Sequence, residues 1–256
     1  MNTLSIVIPA LNEAENLPAV MASIPVGDLA AAGWTTEVVV VDNASTDDTA
    51  EVARTLGATV VSQPQRGYGN AYHAGFDAAT GDVIATGDAD CTYPFDALPE
   101  LLRTLVDHDV EFMTTDRLSR RNRSAMKTSH TIANHALSAL SRTLFRNGLR
   151  DSQSGMWIFR SHVWSGLDVR STGMAFSQEI KNSATRAGLR CLEVPIEYRS
   201  RGGEVKLNAL PDGMANLRQL FEHRFRRSTA EAVPAGIPAQ RSTKSAAAQP
   251  EQYESV

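Results

Sequence analysis

The 256-residue sequence predicts an α/β fold with a mostly parallel central sheet flanked by helices. Three observations carry that expectation. Short apolar runs alternate four times with helix-like segments over the first ninety residues, the pattern of strands joined by helical crossovers. One run, Val38-Val39-Val40-Val41, is apolar at every position, as a strand covered on both faces requires. Polar clusters directly follow the strand-like runs, at the strand ends where such sheets bind ligands.

Leu4-Ser5-Ile6-Val7-Ile8-Pro9 reads as the first strand. In Ala10-Leu11-Asn12-Glu13-Ala14-Glu15-Asn16, Asn12 suits a helix N-cap and the acidic residues suit a first turn. Glu37 and the four valines form the second strand, followed by Asp42-Asn43-Ala44-Ser45-Thr46-Asp47-Asp48-Thr49. Ser45 or Thr46 can cap a helix over 47–56 that Gly57 closes. Ala58-Thr59-Val60-Val61 is a third strand, a helix is expected over 69–79, and Asp82-Val83-Ile84-Ala85-Thr86 is a fourth strand ending at Gly87. Glu111-Phe112-Met113-Thr114-Thr115 is strand-like, and a helix containing Phe176 ends near Gly188. Segments 124–146 and 211–225 are amphipathic, with Ile132, Leu137, Leu140 and Leu144 in one and Met214, Leu217, Phe221 and Phe225 in the other. Such faces pack on a core or partner, or lie in a membrane interface.

The hydrophobic content of 42% supports one domain over 1–227. Residues 228–256 turn to Ala, Pro, Ser, Gln and Thr, which predicts a disordered tail. No stretch is long and apolar enough for a transmembrane helix and no signal peptide is expected, so a cytoplasmic protein is predicted, with peripheral membrane contact through the amphipathic segments. Cys91 and Cys191 have no zinc spacing and read as reduced thiols, and the six histidines form no ligand-spaced cluster. A net charge of −4 and the lack of a binding motif argue against nucleic acid as a partner, although Arg117, Arg120, Arg121, Arg123 and Lys127 crowd one segment.

Chemistry concentrates at three predicted strand ends, 9–13, 42–47 and 88–90, which should share one crevice. Asp88-Ala89-Asp90 places two carboxylates one residue apart. Oxygen ligands of this kind suit Mg²⁺ or Mn²⁺, whose shell phosphate oxygens and water would complete.

These motifs resemble the family 2 glycosyltransferases of the GT-A fold. The matching residues are Ile8-Pro9-Ala10-Leu11-Asn12-Glu13, the 41–49 cluster and Asp88-Ala89-Asp90, joined by Arg66-Gly67-Tyr68-Gly69-Asn70-Ala71. Asp151-Ser152-Gln153-Ser154-Gly155-Met156 and Arg199-Ser200-Arg201-Gly202-Gly203-Glu204-Val205-Lys206-Leu207 resemble later signatures of the polyprenyl-phosphate branch, which includes the dolichol-phosphate mannose synthases. The resemblance implies a nucleoside diphosphate sugar, UDP- or GDP-linked, as donor. Pro9, Ala10, Leu11, Glu13 and Ala89 would line it, Asp42 would accept from the base, and Asp88 and Asp90 would form the cation site, Asp90 as the direct ligand and Asp88 touching the ribose or a metal-bound water. That branch often carries Gln two positions after the second Asp; here the residue is Thr92.

The acceptor divides the expectations. A hydroxyl nucleophile usually needs a carboxylate base, for which Asp151 and Glu179 are candidates. A phosphate nucleophile is already ionised near neutral pH and needs cations, for which Arg117, Arg199, Arg201 and Lys206 are candidates. Arg117 and Glu179 join Asp88 and Asp90 as the expected catalytic residues. The first expectation is an inverting transferase that moves a hexose to a polyprenyl phosphate. The alternatives are transfer to a hydroxyl of a soluble metabolite and sugar-nucleotide binding without transfer.

Overall fold

The structure, a computed structural model, describes residues 2–119, 122, 128–202, 209–226 and 254–255. Lys206 and most of 228–256 therefore lie outside the described residues, and so does the expectation of a disordered tail.

Strand β1 (Asn2–Ala10) runs between β2 (Trp34–Asp42) and β4 (Val83–Thr86), and β3 (Thr59–Ser62) pairs with β2, all in parallel. Side-chain alternation explains why these runs are so apolar. Ile6, Ile8 and Val40 enter the core on one face, and Val7, Val39 and Val41 enter the core on the other. Each is essentially inaccessible, and burial of such a side chain is worth about 1.5–3 kcal/mol. Helices α1 (Leu17–Ala22), α2 (Val26–Ala31) and α5 (Leu98–Asp107) contribute to the first core. Helices α4 (Tyr68–Ala78) and α7 (Phe176–Arg186) contribute to the second, and α3 (Thr49–Thr55) follows β2.

The second half departs from the parallel rule at the strand inserted beside β4 and at the final edge strand. Strand β6 (Trp157–Arg160) lies antiparallel between β4 and β5 (Phe112–Asp116), and β7 (Cys191–Pro195) is parallel to β5. The sheet order is β3-β2-β1-β4-β6-β5-β7-β8, where β8 (Glu254–Ser255) adds a two-residue antiparallel edge. The reversal has a functional consequence. The amino-terminal approach to β6, the 151–156 turn, lies at the same sheet edge as the carboxyl ends of β4, β5 and β7.

Two expected caps are differently employed. Asn12 has φ 53°, and α1 begins only at Leu17 with Asn16 at its N-cap. The Asn12 side-chain oxygen instead accepts the Thr46 N–H (2.8 Å), while Asn12 N–H donates to Ser45 Oγ (3.0 Å). Ser45 and Thr46 thus tie two loops together, and Asp47 Oδ1 accepts the Thr49 N–H (3.1 Å) at the start of α3.

Helices α6 (Thr128–Phe145) and α8 (Ala209–Phe225) are the two amphipathic segments. They pack on each other and on α7. On α8 the inward face is mostly polar, with Asn216, Gln219 and His223 buried beside Leu220. The apolar face points outward: Met214 is 72% exposed and Phe225 76%, with Leu217 and Phe221 between them. Among the described residues no helix is long and apolar enough to cross a membrane.

Candidate active site

The loops after β1, β2, β4, β5 and β7 and the turn before β6 surround a cavity of about 400 Å³. It brings together Pro9, Ala10, Leu11, Glu13, Asp88, Ala89, Asp90, Arg117 and Arg201 among the residues expected from sequence. Two features shape the cavity wall at the start of α4. Asn43 Oδ1 accepts the Gly67 N–H (2.8 Å), and Gly69 packs so closely that a Cβ there would stand 2.1 Å from the Ser171 carbonyl oxygen. The 171–174 segment therefore seats against the start of α4, where Asn70 N–H donates to the Thr172 carbonyl (3.1 Å).

Asp90 is buried and doubly organised. Thr92 donates to its Oδ1 from both backbone N–H (3.1 Å) and Oγ1 (2.6 Å), and Arg201 pairs with its Oδ2 (2.7 Å). Thr92 thus serves to orient Asp90. Burial opposes the Arg201 charge, but Asp90, Tyr198, Asp88 and Glu13 together more than offset it and hold the guanidinium above its ordinary range. Asp88 accepts from the Tyr68 hydroxyl (2.9 Å). Burial first, and then the neighbouring Asp90 charge, push its carboxyl up to about 7 against the opposing pull of Tyr68, Arg201 and Arg117. Two carboxylates crowded together in a buried site present an all-oxygen pair that fits a hard divalent cation. Among the described residues no group of three or more Asp, Glu, His or Cys could cage a metal. A cation held by Asp88 and Asp90 would therefore complete its shell with donor diphosphate and water, the usual situation for Mg²⁺.

Arg117 also lines the cavity. Asp151, wholly buried, accepts from Arg117 Nε (2.7 Å), from its terminal nitrogen (3.1 Å) and from its backbone N–H (3.1 Å). The guanidinium also lies 5.3 Å from the Tyr198 ring centroid. Burial works against the Asp151 charge, but Arg117 and Lys181 more than offset it and hold the carboxyl below its ordinary range. Glu193 on β7 accepts N–H groups from Arg150 and Asp151 (2.7 and 3.1 Å), and Lys181 Nζ donates to the Asp151 carbonyl (2.7 Å). This buried framework fixes Arg117 before any ligand arrives.

Other expected residues are placed elsewhere. Glu179 is buried beneath the 168–171 segment, outside the cavity lining; it accepts from Arg170 and Ser171 N–H (3.1 and 2.7 Å) and pairs with Arg226 (2.7 Å). Arg199 turns away to a two-contact ion pair with Asp96 (both 2.9 Å). Asp42 accepts the Ser45 N–H (3.1 Å) beside the cavity rather than in its lining. Lys206 is outside the described residues. The lining residues that sequence reasoning passed over include Tyr68, Tyr93, Gln153, Met174, Ser177 and Tyr198. Gln153 and Tyr68 sit inside motifs already noted, and Tyr198 directly precedes the arginine cluster, so adjacency was the available signal.

A parallel nucleotide-binding half, an antiparallel insertion beside it and a paired-carboxylate crevice at their junction define a GT-A glycosyltransferase. Residues 5–167 match the model of glycosyl transferase family 2, and the chain belongs to that family. It is 38% identical over 222 residues to Agl6, the low-salt glycan biosynthesis hexosyltransferase of Haloferax volcanii, covering 84% of this chain and 52% of that protein. The chain thus spans about half the length of Agl6. It is 33% identical over 213 residues to the dolichyl-phosphate hexose transferase of the same organism, covering 83% of this chain and 90% of that one. Its fold matches glucosyl-3-phosphoglycerate synthase from Mycobacterium tuberculosis, solved with Mn²⁺, UDP and glucosyl-3-phosphoglycerate, with a TM-score of 0.65 at 25% identity over 87% of this chain and 78% of that one.

Proposed function

We propose that this glycosyltransferase moves a hexose from a UDP-linked donor to a polyprenyl phosphate, with inversion, using Mg²⁺ or Mn²⁺. The observation that carries the proposal is that Arg117, pre-fixed by Asp151, and Arg201 both line a cavity whose candidate bases are spoken for. Asp151 is committed to Arg117, and Glu179 is committed to the 170–171 backbone and Arg226. A phosphate acceptor suits this arrangement. It binds through charge-assisted hydrogen bonds from arginine and needs no proton removed. The name of the dolichyl-phosphate hexose transferase supports the same acceptor class, and the UDP and Mn²⁺ in the phosphoglycerate synthase structure support the donor and the cation.

When bound, the cation neutralises charge that develops on the departing diphosphate. The chain's own residues do the rest. Pro9, Ala10, Leu11 and Glu13 wall the nucleoside, with Asp42 beside it for the base. Asp88 and Asp90 would hold the cation and, with it, the diphosphate end of the donor. Arg117 and Arg201 hold the acceptor phosphate oxygen in line with the anomeric carbon. The outward apolar face of α8, together with Ile132 on α6, would rest on a membrane surface and bring the site to a lipid acceptor. Calorimetric titration with UDP and GDP, each with and without Mn²⁺, tests the donor side. Mn²⁺-dependent binding of UDP is expected, and equal indifference to both nucleotides would sink the reading.

A further inference from the structure

Tyr68 opens α4 and lines the cavity, and its hydroxyl donates to Asp88 Oδ1 at 2.9 Å. Its ring stands edge-on to Tyr72 with centroids 4.9 Å apart, so the phenol is held by packing as well as by its hydrogen bond. The same hydroxyl lies 2.2 Å from where a Cβ on residue 155 would stand. Gly155 has little freedom to step aside. Its N–H donates to the Tyr93 hydroxyl (2.6 Å), and its carbonyl accepts from Thr86 Oγ1 (2.9 Å) and from the Tyr72 hydroxyl (3.4 Å). Thr86 is the last residue of β4, so the strand that delivers Asp88 also pins the residue that makes room for Tyr68. Any side chain at 155 would drive the phenol off Asp88 or drag the turn off β4.

We propose that Tyr68 is a positioning residue for Asp88, and that residue 155 is glycine in order to admit it. The terminal torsion of an Asp side chain is soft and roughly two-fold, so an unheld carboxylate samples many orientations. The phenol fixes the plane by engaging one oxygen and leaves the other for a ligand in the cavity. Loss of a partner of this kind behind a metal ligand typically costs about 10–100-fold in metal affinity. The proposal also joins two separated motifs, the 66–71 segment and the 151–156 turn, through one contact at the carboxylate pair. It rests on the reading of Asp88 and Asp90 as the site of the donor diphosphate and its cation.

The test is a double-mutant cycle in the full chain, using Tyr68→Phe, Gly155→Ala and both together. Two readouts are taken: Mn²⁺ affinity in the presence of UDP, from the spin-resonance signal of free Mn²⁺, and the melting temperature. Tyr68→Phe keeps the ring packing and should weaken Mn²⁺ binding by roughly 10–100-fold. Gly155→Ala should do the same in the Tyr68 background and lower the melting temperature. In the Tyr68→Phe background the added methyl should cost far less. Once the hydroxyl is gone, its nearest neighbours are the Tyr93 hydroxyl at 3.3 Å and the Tyr68 ring carbon at 3.5 Å. Wild-type Mn²⁺ affinity in Tyr68→Phe, or an equal cost of Gly155→Ala in both backgrounds, overturns the proposal. If the wild-type chain binds UDP with no dependence on Mn²⁺, the cation reading falls instead, and the melting cycle still decides whether residue 155 answers to Tyr68.

Discussion

Asp151→Asn is the substitution whose consequences the structure sets out most fully. The side chain is wholly buried, and its oxygens take three hydrogen bonds from Arg117 and one from the Gln153 N–H (3.0 Å). The amide preserves shape but leaves Arg117 buried without its counter-charge. Removing one partner of a buried pair costs about 3–5 kcal/mol. The amide keeps one acceptor oxygen, worth about 1 kcal/mol, so the expected loss is about 2–4 kcal/mol. For a domain of this size that lowers Tm by about 4–16 °C. The pH dependence has a definite sign. Asp151 is held below its unfolded value, so its stabilisation is present above the ordinary carboxylate range and is lost as pH falls through the folded value. The acid limb of wild-type stability should therefore contain a component that Asp151→Asn lacks. Kinetically, the acceptor KM should rise while UDP affinity stays near wild type, because Arg117 loses its fixed position and the nucleotide walls do not. Thermal melts across pH and steady-state transfer assays read all of this. A variant that melts within a degree of wild type with an unchanged acceptor KM would refute the claim that Asp151 presets Arg117.

Three further outcomes are expected. Asp90→Asn should reduce transfer by orders of magnitude and lower Tm less than Asp151→Asn, because Arg201 is more exposed than Arg117 and loses less when its counter-charge goes; wild-type turnover in that variant, or in excess chelator, would remove the cation from the mechanism. Asp42→Ala should weaken UDP binding by about 1–3 kcal/mol; unchanged affinity with a lower Tm would assign Asp42 to the Ser45 turn alone. Replacing Met214 and Phe225 together with Ser should reduce sedimentation with anionic lipid vesicles and leave UDP binding intact, and undiminished co-sedimentation would clear α8 of that role.

The first half of the fold was legible because each signal there is local. Four strands announce themselves as apolar runs, even β3 at the exposed edge, and the polar loops after them must fall at one end of a parallel sheet. The antiparallel strand was harder to foresee. Trp157-Ile158-Phe159 is a short apolar run without a period, and nothing local states that it inserts between β4 and β5. Yet that insertion is what carries Asp151 to Arg117. The direction in which a charged side chain turns was equally hidden. Glu179 and Arg199 have the right types near the right motifs, but Arg226 and Asp96, distant in sequence, claim them. The spacing on α8 revealed an apolar stripe without revealing its facing. It points outward because α7 offers amides: Gln178 Nε2 donates to the Asn216 carbonyl (2.6 Å) and to Gln219 Oε1 (2.9 Å). Asn216 Nδ2 in turn donates to Gln153 Oε1 (2.9 Å), at the cavity wall.

The acceptor is the centre of the account, and one competition measures it. Purified enzyme with a UDP-hexose and Mn²⁺ is offered a short polyprenyl phosphate and the matching polyprenol in equal amounts, and the products are resolved by mass. The account predicts a polyprenyl-phosphate hexose and no glycosylated alcohol, with no carboxylate base limb in the pH profile of the rate. Transfer to the alcohol alone, or only to a soluble hydroxylated acceptor, would contradict it and return Arg117 and Arg201 to the donor diphosphate.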